Sequence, residues 1–211
     1  MSKKKSKTAQ SNEHTAISLF KKNIQSAQDC IDQYQGLLVL KSGLNTEWLL
    51  RAAVVFIVSA LDTYFHDKIK YKVGKLSLNN LPTQLQNFEI TIGKLPEWTK
   101  AKRKGNVIRN WIVEYLSIRP IQKPDLIAEY LKLVGIDNFW NTMEPDNKKR
   151  SALRDDFSKL IKRRNQIAHE GDRLQSRASG KKLRTISKEQ VDQWKSWSEK
   201  FVNDIEKHFP G

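Results

Sequence analysis

The sequence predicts an all-α protein, a bundle of long antiparallel helices with shorter helices between them. Apolar residues recur at spacings of three and four positions over several long segments, which is the period of one helix face. No segment shows the alternation of apolar and polar residues expected of a half-buried strand. The 211 residues, 38% of them hydrophobic, are enough for one sizeable core, and no linker requires two domains.

Two long helices are predicted in the N-terminal part of the chain. Residues 14–38 place apolar side chains on one face, and residues 41–43 break that pattern. A second helix follows over residues 45–71 and ends at Gly74, with a core stripe of Leu49, Ala53, Phe56, Ile57, Ala60 and Tyr64. Its most apolar part, residues 52–61, is too short to span a bilayer and is therefore predicted to lie in the core.

The middle of the chain is less regular. Residues 75–105 form a basic excursion with short helical pieces, interrupted by Pro82, Gly93 and Pro96. A helix resumes at about Asn106, with Val107, Ile108, Trp111, Ile112, Tyr115 and Leu116 directed inward. Pro124 suits the first turn of the next helix, Gly135 stops it, and Ile136, Phe139 and Trp140 form a short helical plug.

Two further helices are predicted near the C-terminus. The first follows Pro145 and runs to about His169, with an apolar face of Leu153, Phe157, Leu160, Ile161 and Ala168 and a stop at Gly171. Residues 171–186 form a basic loop. A capping box at residues 187–190 then begins the last helix, whose buried face is Val191, Trp194, Trp197, Phe201 and Ile205.

The net charge of +15 favours a polyanionic partner, and nucleic acid is preferred over an acidic protein or an anionic membrane. The alternative is a cationic protein without such a partner. Residues 1–13 are predicted to form a basic flexible tail. The single cysteine, Cys30, permits no internal disulfide, so we expect a cytoplasmic protein with a small buried thiol rather than a nucleophile.

An arginine and a histidine, Arg164 and His169, stand five positions apart at the end of a helix. An arginine fork grips phosphate, and a histidine transfers protons near neutral pH. On an ideal helix of about 3.6 residues per turn the two differ by about 140°, so they do not share a face. Either they meet through an altered last turn or a second subunit, or Lys162, Arg163 and Arg164 are a solvated basic helix end.

Asp62 and His66 stand four positions apart, so a carboxylate and an imidazole share one face of the second helix. They are either a support for catalysis or a structural contact at the edge of the core. Clusters of Lys and Arg are predicted to contact the phosphate backbone of a nucleic acid, with solvation as the alternative. They are Lys102, Arg103, Lys104, Lys162, Arg163 and Arg173.

Residues 164–169, Arg-Asn-Gln-Ile-Ala-His, resemble the Arg-x4–6-His motif of the HEPN superfamily, in which a polar residue such as Asn165 usually follows the arginine. Residues 59–67, 130–140 and 186–191 are similar to other segments of the HEPN group associated with RiboL-PSP proteins. The resemblance covers roughly residues 45–208 and indicates a single HEPN-like domain at residues 14–211. Glu170 and the basic excursion depart from the family pattern.

The resemblance implies a helical, usually dimeric domain that often acts as a metal-independent endoribonuclease without a cofactor. Arg164 and His169 would be catalytic, with Asn165 and Asp62 in support and His66 as a further group. The RNA 2′-OH would attack the adjacent phosphorus and leave a 2′,3′-cyclic phosphate and a 5′-OH. By analogy, the protein would be a toxin or anti-phage defence effector with an inhibitory or regulatory protein partner. The alternative is a non-catalytic HEPN-like module that binds RNA or a protein.

Overall fold

The structure is a computed structural model that describes residues 3–40, 43–77, 79–82, 85, 89–174 and 182–209, with side chains from Ala16 onward. The described residues form eight α-helices, one short 3-10 helix and no strand, as the sequence predicts. The helices are α1 (Lys3–Val39), α2 (Glu47–Lys75), α3 (Leu95–Lys100), α4 (Lys104–Ser117), α5 (Pro124–Leu133), α6 (Phe139–Met143), α7 (Asn147–Glu170) and α8 (Lys188–His208). The 3-10 helix (Ile92–Lys94) leads directly into α3.

Helices α1 and α2 pack against each other in the most extensive helix–helix contact among the described residues. The predicted apolar face of α1 is buried at Phe20, Ile24, Ala27 and Ile31, and Cys30 is half-buried against the core. Burial raises the pKa of the Cys30 thiol, and the carboxylate of Asp29 adds to that shift. Helix α1 begins at Lys3, so the backbone is helical where a flexible tail is predicted.

Helix α2 lies at the centre, in contact with α1, α4, α5, α7 and α8. It is long and apolar enough to cross a membrane by length and composition, but 61% of its most apolar window is buried inside the fold. The core stripe is confirmed except at Phe56, whose side chain is 39% exposed. Trp48 and Ser59 of α2 are also exposed, so Phe56 belongs to a strip of this helix that no described helix buries.

The C-terminal helices join α2 through an aromatic cluster around Phe201. The rings of Trp140 and Trp197 stack on Phe201 at centroid distances of 5.8 Å and 4.9 Å. Phe65 of α2 and Phe157 of α7 contact the same ring. This confirms α6 as the predicted plug and places the C-terminal tryptophans in packing contacts.

The boundaries of α7 follow local signals. Asp146 is the N-cap, and its side chain accepts a hydrogen bond from the Lys149 N–H at 2.9 Å. Gly171 ends the helix in the left-handed conformation at φ 61°. Ser187 likewise caps α8. One prediction for α7 is wrong: Ala168 is exposed, because the last turn extends beyond the core.

Candidate functional site

The Arg-x4-His segment forms the last turns of α7. Arg164 is half-buried and follows the buried Ile161 by three residues, whereas His169 is exposed. Among the described residues, neither side chain forms a hydrogen bond or an ion pair. The segment therefore presents a guanidinium group and an imidazole to which no described side chain is bound.

Asn165 lies between these two residues and is half-buried. Its Oδ1 atom is buried and has no hydrogen-bond partner. Buried polar atoms without a partner are rare because the lost hydration is not replaced. Within the described residues, the side chains of Arg164 and His169 and the Oδ1 atom of Asn165 thus have no hydrogen-bond partner.

A buried ion cluster holds the end of α7 in place. Asp172 is only 1% exposed and accepts hydrogen bonds from two guanidinium groups. Arg51 of α2 binds through Nε at 2.6 Å, and Arg163 of α7 binds both carboxylate oxygens, through Nη2 at 3.0 Å and through Nη1. Backbone carbonyls complete the cluster, Arg184 O for Arg51 at 2.9 Å and Thr185 O for Arg163 at 3.2 Å.

Two successive left-handed residues bring Asp172 into this cluster. Gly171 has φ 61° and Asp172 has φ 57°, and the Asp172 N–H donates to Gln166 O at 2.8 Å. The chain therefore turns back under the last turn of α7 immediately after the motif. This arrangement corrects the prediction that Arg163 contacts RNA: its guanidinium is buried and bound to Asp172, so it is not available for a phosphate.

The segments before and after residues 175–181 are bonded to each other and to the end of α7. Arg173 and Leu183 form an isolated antiparallel bridge, and Arg184 N–H donates to Asp172 O at 2.8 Å. The Arg184 side chain pairs with Glu170 at 3.2 Å. Glu170, a departure from the family pattern, thus links the end of α7 to the returning chain. The predicted basic residues Arg177 and Lys181 of this loop lie outside the described residues.

Asp62 and His66 lie elsewhere on α2. Asp62 Oδ1 accepts a hydrogen bond from the Ile121 N–H at 2.9 Å and lies 3.8 Å from His66 Nε2. Asp62 is eleven residues beyond Arg51, which corresponds to about 16 Å along the helix. Within the described part of one chain, no hydrogen bond or ion pair joins either residue to the Arg164 and His169 segment. In one chain Asp62 thus holds the backbone between α4 and α5, with His66 beside it, and a supporting role in catalysis stays a prediction.

The sequence model of the RiboL-PSP-HEPN family matches residues 15–210. The chain belongs to the RiboL-PSP-HEPN family. No curated protein and no solved structure matches it. The match confirms the resemblance that residues 164–169 indicate, and HEPN domains are nuclease or RNA-related modules.

In this RiboL-PSP-HEPN protein, the remaining predicted RNA contacts are all exposed. Lys102 and Arg103 lie in the turn before α4, and Lys104 begins that helix. Lys162 and Arg173 lie on either side of the motif. Their positions leave them available to a phosphate backbone, and their role in RNA binding stays a prediction.

Sequence reasoning missed Arg51 and Asp172, which position the motif. A signal for Arg51 was present: it is the only charge between Glu47 and Asp62 in an otherwise apolar core helix, and a buried charge requires a partner. The identity of that partner was not accessible, because Asp172 lies 121 residues away in sequence.

Proposed function

We propose that this HEPN protein is a metal-independent endoribonuclease whose catalytic groups are Arg164 and His169. One observation carries the proposal. Of two adjacent arginines, Arg163 donates hydrogen bonds to both carboxylate oxygens of Asp172. Arg164 has no hydrogen-bond or ion-pair partner among the described residues, and it shares the end of α7 with the exposed His169. A fold that supplies a buried anion for the first arginine, and none for the second, leaves the second for an external anion such as a phosphate.

The chemistry requires only these groups and the RNA itself. The Arg164 guanidinium binds the non-bridging oxygens of the scissile phosphate and stabilises the charge that accumulates in the transition state. The 2′-OH loses its proton to a base and attacks phosphorus. The bond to the 5′ oxygen then breaks, and that oxygen takes a proton from an acid. The products are a 2′,3′-cyclic phosphate and a 5′-OH. DNA, which has no 2′-OH, is not cleaved.

Two proton-transfer groups are needed, and one chain supplies one histidine at this site. We propose that a two-fold homodimer brings two His169 side chains to one cleft, one as base and the other as acid. The structure offers a surface for such contact. Leu44 and Trp48 are 68% and 58% exposed and lie at the end of α2 that carries Arg51. An apolar surface therefore lies at the same end of the bundle as the motif.

The cleavage test uses the purified full chain with end-labelled RNA in excess EDTA. We expect RNA fragments that a polynucleotide kinase labels at the 5′ end without prior phosphatase treatment. His169→Ala and Arg164→Ala should each lower the rate by about 100-fold or more. His208→Ala, an exposed histidine at the end of α8, is the matched control and should retain the wild-type rate. Equal cleavage by the wild type and His169→Ala would overturn the proposal.

The dimer test uses Trp48→Asp, which places a charge on the apolar surface. We expect a monomer in sedimentation, a retained melting temperature and loss of single-turnover cleavage. Ile92→Asp is the control, because Ile92 is also a strongly exposed apolar residue, at 80%, and lies on the 3-10 helix. A monomer with full single-turnover activity would contradict the two-histidine site.

A second candidate function is a non-catalytic HEPN module that binds RNA or a protein. The position of Asp62 favours it, because this carboxylate holds the Ile121 backbone and, in the described part of the chain, is not joined to His169. RNA binding without cleavage, unchanged by His169→Ala, would support this function. For the active enzyme, we propose a toxin or defence role in the cytoplasm under the control of an inhibitory or regulatory partner protein. Co-expression with neighbouring genes and a growth assay test that role.

A further inference from the structure

The end of α1, where the chain turns towards α2, exposes three consecutive aliphatic side chains. Leu38, Val39 and Leu40 are 53%, 81% and 75% exposed, and these three residues are called the hairpin tip below. Single apolar side chains on a surface are ordinary, but a contiguous exposed group marks a site of contact with a protein or a membrane. The hairpin tip is therefore an interaction surface for which the described part of the chain supplies no cover.

The chain around the hairpin tip is poor in charge and lacks acidic residues. Residues 33–46 contain one lysine and no Asp or Glu, although 29% of the whole chain is charged. The nearest carboxylates in sequence are Asp32, about two helical turns before Val39, and Glu47, which is paired with Arg51 at 3.0 Å. No carboxylate within this segment therefore opposes the approach of an anionic surface.

A second segment at the same end of the bundle exposes leucines beside cations. Leu174 and Leu183 are both exposed, and the Leu174 N–H donates to Lys182 O at 3.0 Å, which joins the two sides of this segment. Arg173 and Lys182 are exposed and form no ion pair among the described residues. The buried ion cluster holds this segment against the first turns of α2, which follow the hairpin tip. Aliphatic and cationic side chains thus lie together at this end.

We infer that the hairpin tip inserts into the surface of an anionic lipid membrane, with Arg173 and Lys182 at the lipid phosphates. Interfacial membrane binding combines aliphatic side chains buried at the boundary of the acyl chains with cations at anionic head groups. A partner protein is the less favoured occupant, because hot spots of protein interfaces are enriched in Trp, Tyr and Arg and poor in Leu and Val. The inference is independent of the proposed nuclease activity and does not require Leu44 and Trp48, the surface offered for the dimer.

The test measures co-sedimentation of the full chain with vesicles of phosphatidylcholine and phosphatidylglycerol. Val39→Asp should weaken binding by about 10-fold or more, because the insertion of one valine side chain is lost and a charge replaces it. Ile92→Asp is the matched control, because Ile92 is equally exposed, at 80%, lies on the 3-10 helix and receives the same charge. This control should bind within about twofold of the wild type, since the attraction of anionic lipids acts only on charges near the membrane surface.

A fluorescence readout distinguishes insertion from attraction by charge alone. Leu40→Cys in a Cys30→Ala background carries an environment-sensitive dye, whose emission should shift to the blue when anionic vesicles are added. The same dye at Ile92→Cys should not shift. Equal vesicle binding by Val39→Asp and Ile92→Asp would overturn the inference, and so would an unshifted dye on Leu40→Cys.

Sedimentation without vesicles tests a second copy of the chain as the occupant. A wild type that ignores vesicles and forms an oligomer that only Val39→Asp abolishes would overturn the inference, because the hairpin tip would then be an interface between copies. His169→Ala should bind vesicles like the wild type. Selective loss in Val39→Asp would support the inference even if no RNA is cleaved, whereas an active nuclease that does not bind vesicles would overturn it alone.

Discussion

Asp172→Ala is expected to destabilise the fold by about 3–5 kcal/mol, because the substitution leaves buried guanidinium groups without their anion. Arg51 and Arg163 are each only 8% exposed, and both donate to this carboxylate. After the substitution, Arg163 keeps only the uncharged backbone carbonyl of Thr185. Arg51 keeps the carbonyl of Arg184 and the partly exposed carboxylate of Glu47. For a chain of this length the loss corresponds to a drop in melting temperature of about 6–20 °C.

The matched control is Glu47→Ala. Glu47 pairs with the same Arg51 at 3.0 Å, but its side chain is 46% exposed, so water screens the interaction. Its removal should cost less than about 1 kcal/mol. The assay is urea unfolding followed by far-ultraviolet circular dichroism, with the melting temperature as a second measure. The comparison therefore sets a buried carboxylate that binds two arginines against a partly exposed carboxylate that binds one of them.

A second variant tests the cause of the loss. Arg163→Met in the Asp172→Ala background replaces one orphaned charge by an apolar side chain of similar length, and part of the lost stability should return. If Asp172→Ala costs no more than Glu47→Ala, the cluster does not hold the end of α7. If the double variant is less stable than Asp172→Ala, the orphaned charge is not the source of the effect.

Three further predictions concern other positions. Burial raises the pKa of Asp67, and the charges of Lys70 and His66 oppose that shift. The folded state therefore holds this proton more tightly than the unfolded state, and stability falls as the pH rises above the ordinary carboxyl range. Asp67→Asn should flatten that fall in melts from pH 4 to pH 8, and an unchanged pH profile would contradict the prediction. Gly171→Ala should cost about 1–2 kcal/mol in urea unfolding, because φ is 61°, and a neutral result would exclude this strain. Asp62→Ala should cost about 1–3 kcal/mol by orphaning a backbone N–H, and wild-type stability would refute that role.

The boundaries of α7 were predictable because they depend on neighbours in sequence. Asp146 caps the start of α7 with its side chain, and Gly171 ends the helix in the left-handed conformation. Both effects act within one turn of the helix. The core positions were predictable where one face of a helix is covered. The stripe of α2 was wrong only at Phe56, because α2 is covered on most sides and periodicity does not reveal which narrow strip stays exposed.

The sequence predicts which residues form the candidate site, but not the groups that hold the end of α7 in place. The phase of Arg164 and its spacing from His169 follow from the helix alone. The roles of Lys162, Arg163 and Arg164 differ, although the three are adjacent and basic, because only Arg163 faces Asp172. Such a difference depends on where the chain returns after Gly171, which is a tertiary property. Arg51 and Asp62 stand at the two ends of the apolar part of α2. Arg51 binds the distant side chain of Asp172, and Asp62 accepts a hydrogen bond from the distant Ile121 N–H.

The sequence distance across the ion cluster has a consequence during synthesis. Arg51 emerges from the ribosome early, but Asp172 follows 121 residues later, and the carbonyl of Arg184 follows 133 residues later. The α1–α2 hairpin is local and can assemble on the nascent chain. The complete ion cluster can therefore form only after translation has passed residue 185. A product truncated before residue 172 lacks the carboxylate that Arg51 and Arg163 bind at the end of α7.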